Sequence, residues 1–231
     1  MDLSETTGAA KGIAGALYFV RELGEVKAGT KTPPTLKRQP VEEDRFARIM
    51  DQLTVSRHLL DLAAFMLVRT ARETDAKALL QLLKRLDDET RFMMYEPGER
   101  MTIVQEQVEL LRDLLARGNS TVLLAEDDDQ PMGFLEATGG AFRRNRHVVN
   151  LVLGVLREHA GRGIGTALMQ EAERWARGCG SHRLELTVMT HNAAAVALYE
   201  KAGFAIEGTR MHSMLVDSSY LDEFYMAKLL V

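Results

Sequence analysis

Val155-Leu156-Arg157-Glu158-His159-Ala160-Gly161-Arg162-Gly163-Ile164-Gly165-Thr166-Ala167-Leu168 is the stretch on which the reading of this chain turns. Before it, Val148–Leu156 is almost continuously apolar, the pattern of a strand covered on both faces. After it, a helical pattern runs to about Arg177 and stops at Gly178-Cys179-Gly180. Between them lies a glycine-rich turn. Glycines let a backbone approach a ligand closely and turn its N–H groups outward. A helix N-terminus adds roughly half a positive charge. Strand, turn and helix together make a cradle for a pyrophosphate. The spacing is neither G-x-G-x-x-G nor G-x-x-x-x-G-K-[ST], so a dinucleotide fold and a P-loop are both poor fits.

Downstream lies His191-Asn192-Ala193-Ala194-Ala195-Val196-Ala197-Leu198-Tyr199-Glu200-Lys201-Ala202-Gly203-Phe204. Asn192 and Tyr199 are seven residues apart, which puts them on nearly one face of a helix. The alanines keep that helix thin, so a ligand can pass beside it. Taken alone, Tyr199 is a packing tyrosine as readily as an acid.

The two segments together resemble the GNAT acetyltransferase superfamily. The turn is similar to its acyl-CoA signature, (Arg/Gln)-x-x-Gly-x-(Gly/Ala), with Gly163 and Gly165 in the glycine positions. The helix resembles its Asn-x-x-Ala-x-x-Leu-Tyr-x-x-x-Gly-Phe element. One position departs: Ala160 stands where the family usually has Arg or Gln, and Arg157 or Arg162 is left to supply that charge. The resemblance covers about residues 67–231 and leaves residues 1–66 outside.

The rest of the chain is consistent with that scope. The strand and helix order is β-α-α-β-β-β-α-β-α-β-β, which makes an α/β (α+β) protein of three layers. The resemblance implies a central mixed, mostly antiparallel twisted sheet flanked by helices. Leu67-Val68-Arg69 is expected as a strand, with Thr74 capping a helix from Asp75 to about Leu86. Within residues 1–66, Lys27–Pro40 has linker composition. From Val41, apolar residues at helical spacing predict an amphipathic helix that packs on the domain or on a second copy of the chain, making a homodimer.

The 231 residues carry 46% hydrophobic and 27% charged side chains, enough for a real core. A net charge of −4 offers no basic surface for nucleic acid. The single cysteine, Cys179, excludes an internal disulfide and a cysteine-cluster zinc site, and no histidines stand at metal-ligand spacing. The longest apolar run near the start, Gly12–Val20, falls short of the about 20 residues a membrane span needs, and the N-terminus ahead of it, Met1-Asp2-Leu3-Ser4-Glu5, is acidic rather than basic. A soluble, cytoplasmic protein without metal or membrane contact is the expectation.

The resemblance implies transfer of acetyl from acetyl-CoA to a primary amine by direct attack in a ternary complex. The cofactor would be held by Leu153, Gly154 and Val155 on the strand, by Ala160, Gly161, Arg162, Gly163, Ile164, Gly165 and Thr166 in the turn, and by Asn192 and Tyr199. The Val155 N–H would polarise the thioester carbonyl and Tyr199 would protonate the leaving thiolate. In the ribosomal-protein alanine acetyltransferases of the family a glutamate lies five residues before the motif asparagine; here that residue is Thr187. Glu185, two residues earlier on the same strand face, and Glu136, on the neighbouring hairpin, are the candidate bases. The acceptor is a small amine or an amino acid, with a protein N-terminus or lysine as the alternative and a non-catalytic acyl-CoA-binding module as the third reading. The acceptor loops are expected near Met94–Gly98 and Asp217–Ser219. Arg143, Arg144 and Arg146 read as a solvated loop or as a grip on an acid.

Overall fold

The computed structural model describes residues 66–231, so the linker and all but the end of the expected amphipathic helix lie outside the described residues, and the domain boundary expected at residue 66 falls at their edge. Seven strands and four α-helices follow the expected order. They are β1 (Leu67–Thr70), α1 (Ala76–Glu89), α2 (Val104–Leu115), β2 (Thr121–Asp127), β3 (Gln130–Gly139), β4 (Val148–Val155), α3 (Ile164–Gly178), β5 (Arg183–Met189), α4 (Ala193–Lys201), β6 (Ala205–Val216) and β7 (Ser219–Leu229). One sheet runs β1-β2-β3-β4-β5-β7-β6. Every pair is antiparallel except β4–β5, the mixed and mostly antiparallel sheet expected.

Local chemistry sets the elements. The β2–β3 hairpin closes on Asp128 and Asp129, at φ 46° and 60°, and the β6–β7 hairpin on Asp217 and Ser218, at 48° and 64°. Two successive positive φ values match the twist of paired strands, and short polar side chains tolerate them best. At the start of α1 the cap is Asp75 rather than Thr74. A 3₁₀ turn over Glu73–Asp75 comes first, and the Asp75 carboxylate accepts from the Arg72 N–H at 2.7 Å while pairing with Arg69 at 2.7 Å. A carboxylate serves both duties where a hydroxyl serves one.

Strand alternation sorts the core into two layers. Leu123, Ala125, Leu135, Ala137, Val149 and Leu151 are buried on one face against Ile164, Leu168 and Ala172 of α3. Val122, Leu124 and Phe134 are buried on the other against Leu79, Leu82, Leu83 and Leu86 of α1 and Leu111 of α2. Each fully buried leucine contributes about 1.5–3 kcal/mol, and Leu168 and Leu135 are both 0% exposed.

In one respect β4 departs from its apolar pattern. Val149 and Leu151 are buried under α3, but Asn150 and Val152 are exposed, Val152 by 44%. The strand is therefore not covered on both faces. The α1–α2 layer packs on Val122, Leu124 and Phe134, and the sheet face around Glu136 and Val152 is left open.

Candidate active site

The site begins where two strands part. Parallel pairing of β4 with β5 ends at Asn150↔Glu185, although β4 continues to Val155 and β5 to Met189. On its other edge β4 stays paired with β3 as far as Val155. The Leu156 N–H donates to the Met132 carbonyl at 2.9 Å, and the Val148 carbonyl accepts from Gly140 N–H at 3.0 Å. Even-numbered residues of β4 thus turn their polar groups toward β3, and Leu153 and Val155 turn theirs into the wedge between β4 and β5. Gly154 faces β3. A Cβ on it would lie 2.8 Å from Leu86 Cδ1 and 2.8 Å from Phe134 Cε1, so this glycine admits the α1 layer onto the sheet.

The turn after β4 opens at the same wedge. Gly161 and Gly163 take φ 76° and 82°, and Gly163 is the residue before α3. Nothing lies within 4 Å of a Cβ placed on either, so their glycine identity answers to backbone conformation. The first α-helical bond is Ala167 N–H to Gly163 O, at 3.0 Å. Among the described residues, the N–H groups of Gly161, Arg162, Gly163, Ile164, Gly165 and Thr166 have no acceptor. Free donors at a helix start form an anion site. Gly165 has a packing reason of its own, since its Cβ would come within 2.9 Å of Leu198 Cδ2. Of the two guanidinium candidates, Arg157 is engaged elsewhere, donating through its backbone N–H to the Glu89 carboxylate and through Nη2 to the Glu89 carbonyl, each at 2.9 Å. Arg162 stays exposed beside His159, 2.9 Å from its Nδ1.

Helix α4 supplies the third wall. The Asn192 side-chain carbonyl accepts from Ala195 N–H at 3.2 Å and caps the helix, which leaves its NH₂ as the free end. Two turns on, Tyr199 is 7% exposed and packs against Phe204 with ring centroids 6.1 Å apart. Burial pushes its hydroxyl up to about 12, so it holds its proton through the neutral range. The hydroxyl has no partner among the described residues, yet it is not one of the sealed-off polar atoms, and Tyr199 lines the cleft.

The cleft itself encloses about 880 Å³. Its second side is formed by the open sheet face and by the loop between α1 and α2. Glu136 pairs across strands with Val152 and accepts from the Thr138 hydroxyl at 2.9 Å. From the loop come Thr90, Phe92, Met93, Met94, Tyr95 and Arg100. Phe92 reaches the His191 ring at 5.3 Å, closing the loop against the entry to α4. The β6–β7 hairpin is tied to the same loop by Arg91–Asp217 at 3.3 Å, though Asp217–Ser219 are not part of the lining.

Of the residues expected from sequence, Leu153, Gly154, Val155, Ala160, Gly161, Gly163, Ile164, Gly165, Thr166, Asn192, Tyr199 and Glu136 line one cleft. Arg162 and Glu185 do not. Glu185 is held by Arg183 Nε at 2.8 Å on a part of the sheet outside the lining. Glu223 was not anticipated. It is 7% exposed, lies opposite Met189 across β5–β7, lines the cleft, and takes a bond from Arg210 at 3.1 Å. Nothing in the local pattern of β7 marks it, because its neighbourhood is made by pairing with β5 and β6. The loop residues Arg143, Arg144 and Arg146 are exposed and away from the cleft. Among the described residues no three metal-ligating side chains converge, and no helix is long and apolar enough to cross a membrane.

Comparison with known proteins bears on this geometry. A family model described as the acetyltransferase (GNAT) family matches residues 77–204. The L-amino acid N-acetyltransferase AaaT of Escherichia coli is 36% identical over 110 residues, 46% of this chain and 66% of that protein, so the chain spans slightly less than two thirds of this relative. A GNAT-family acetyltransferase structure from Streptococcus pneumoniae superposes with a TM-score of 0.69 at 32% identity, covering 72% of this chain and 99% of that one. The Salmonella typhimurium protein yncA, solved with acetyl-CoA, shares the fold at a TM-score of 0.65 and 21% identity over 72% of this chain and 94% of that one.

Proposed function

The chain belongs to the acetyltransferase (GNAT) family, and on that premise we propose that it transfers the acetyl group of acetyl-CoA to the primary amine of a free amino acid or other small amine, by direct attack within one ternary complex. The observation that carries this reading is the junction of two features. The splayed edge of β4 presents unpaired backbone at Leu153 and Val155, and it leads directly into six free N–H groups at the start of α3. An acyl-CoA has the complementary parts in the same order: an amide-bearing arm that can pair like an added strand, and a pyrophosphate.

Acetyl-CoA supplies an activated acyl group as a thioester. The Gly161–Thr166 backbone holds its pyrophosphate, with Arg162 as the nearby guanidinium, and Leu153 and Val155 hold the arm. The Asn192 carboxamide, with its carbonyl committed to the helix cap, offers its NH₂ to the arm. The Val155 N–H is positioned to donate to an oxygen that gains charge during attack; such preset donors typically contribute about 10²–10³-fold in rate. Tyr199 gives its proton to the departing sulfur. A tyrosine held near 12 keeps its proton through the neutral range and so has one to give; transfer to a thiolate whose thiol ionises near 8.5 is uphill in itself, and reprotonation of the tyrosinate at neutral pH completes it.

The amine must lose a proton to attack. Glu136 faces the cleft with no ion-pair partner among the described residues, whereas Glu185 is tied to Arg183. The proton therefore goes to Glu136. The amino-acid reading of the acceptor is supported by the E. coli relative's description and by a loop that walls the second side of the cleft with Phe92, Met93 and Tyr95.

The deciding experiment is acetyl-CoA consumption by the full chain over a panel of amino acids, amines and peptides, with products identified by mass. Turnover with at least one free amino acid or small amine is expected. Turnover confined to peptides or proteins would overturn the choice of acceptor, and none at all would overturn the enzymatic reading.

A further inference from the structure

We propose that Arg100 is the receptor for the carboxylate of a free α-amino acid, so that the cleft prefers acceptors with that carboxylate over their amides and over simple amines. The inference rests on the acetyl-transfer reading above and narrows its acceptor.

Arg100 lies at the end of the loop between α1 and α2, with its side chain 12% exposed, and it lines the cleft. Its inner edge is fully engaged. Nε donates to Asp87 Oδ2 at 2.6 Å and Nη2 to Asp87 Oδ1 at 3.1 Å. Asp87 is 1% exposed on α1, so the pair is anchored in the core rather than on a mobile surface. The guanidinium also stands 4.2 Å over the ring of Tyr95. A guanidinium carries five N–H donors in a rigid fork. Two are spent on Asp87, and Nη1 has no partner among the described residues. Nor is Nη1 sealed away, since the hydroxyl of Ser181 is the unpartnered buried side-chain atom there. The outer edge, Nη1 with the remaining Nη2 hydrogen, has the geometry that binds a second carboxylate in bidentate fashion. Asp87 and Tyr95 fix the fork in advance, which lowers the ordering cost on binding.

Placement agrees with this use. Arg100 is held by α1, the helix that packs on Phe134 and therefore on the sheet face carrying Glu136 and Val152, opposite to α3. Among the described residues the other basic groups of the lining are His159 and Lys201. They belong to the turn before α3 and to the last residue of α4, the donor side. An α-amino acid presents an ammonium and a carboxylate on one carbon. The acceptor side offers Glu136 and Glu223 for the first and the outer edge of Arg100 for the second. Phe92, Met93 and Met94 form the apolar remainder, which suits an apolar side chain.

The simpler account is that Arg100 only clasps the loop to α1. The two are separated by kcat/KM for L-leucine, L-methionine and L-phenylalanine against their three α-amides. Removing the carboxylate lowers the basicity of the amine, so intrinsic reactivity at neutral pH favours the amides. A preference of the unmodified protein for the acids of about tenfold or more, the size expected of charge-assisted bonds, is expected. Arg100→Gln should lower kcat/KM for the acids by about tenfold or more, mainly through KM, and leave the amides within about threefold. Arg100→Lys should restore part of the acid preference, because a point charge replaces a fork. Acetyl-CoA affinity should not change in either. Equal losses for acids and amides in Arg100→Gln would reduce Arg100 to a clasp. If that variant fails to fold, the acid-to-amide ratio of the unmodified protein decides alone, and a ratio of one or below overturns the assignment. Acetylation restricted to amides or other carboxylate-free amines sinks the carboxylate receptor and leaves acetyl transfer standing. No acetylation of any amine sinks both.

Discussion

The two sides of the cleft are built by different means. The donor side is backbone: a strand edge released at Asn150, six unpaired N–H groups from Gly161 to Thr166, and a capped helix with Tyr199 two turns in. It comes from two short stretches, residues 148–166 and 192–199. The acceptor side is side chains: Glu136 from β3, Arg100 and Phe92 from the loop before α2, and Glu223 from β7. A backbone site can be written in a few contiguous glycines, whereas this side-chain site needs three distant segments brought together. One side can therefore stay constant while the other varies.

Tyr199, on the donor side and lining the cleft, gives the sharpest test. Tyr199→Phe should lower kcat by about 10²–10⁴-fold while acetyl-CoA affinity stays nearly constant, because the ring and its packing on Phe204 remain. A kcat within about threefold of the parent, measured where chemistry limits the rate, would remove the proton-donor role.

The next largest effect falls on the donor side alone. Gly163 sits at φ 82°, where a β-branched residue is strained by about 1–3 kcal/mol. Gly163→Val should weaken acetyl-CoA binding by about ten- to a hundredfold, measured by calorimetry. Unchanged affinity would mean that the N–H cradle is not the pyrophosphate site.

Gly154 tests whether the two sides are as separate as they look. The sequence places it with the donor residues, but its missing Cβ makes room for Leu86 and Phe134 beneath the acceptor face. Gly154→Ala should destabilise the fold by about 1–3 kcal/mol through overpacking, seen as a lower Tm. A silent Gly154→Ala would return the residue to the donor side.

The smallest effect is on alkaline stability. Because folding raises the Tyr199 pKa from 10 to about 12, the folded state binds the extra proton. Stability from this group is complete below pH 10 and is lost as pH rises toward 12, about 1 kcal/mol of it by pH 11. Denaturant titrations at pH 8 and pH 11 should show a smaller alkaline loss in Tyr199→Phe than in the parent. Tyr225, also raised by burial, retains its own share. Equal losses would place the Tyr199 hydroxyl in a more solvated setting.

What the sequence by itself determined follows the reach of local forces. Strand alternation, helical spacing and glycine placement specified the order of elements, the strand–turn–helix at Val155–Leu168 and the Asn192–Tyr199 helix, because each is dictated by residues within a few positions of one another. The tertiary structure decided the rest. Only pairing shows that β4 leaves β5 at Asn150, that an apolar Val152 stays exposed, and that Gly154 and Gly165 are small for packing against Leu86, Phe134 and Leu198. Only the sheet order separates Glu136, in the cleft, from Glu185, held by Arg183, and brings in Glu223 from the far end of the chain. The Asp87–Arg100 clasp joins a helix to a loop by side chains whose spacing carries no periodic signal. Such contacts are set by which surfaces pack together, and a carboxylate reads the same in sequence whether it faces a cleft or an arginine.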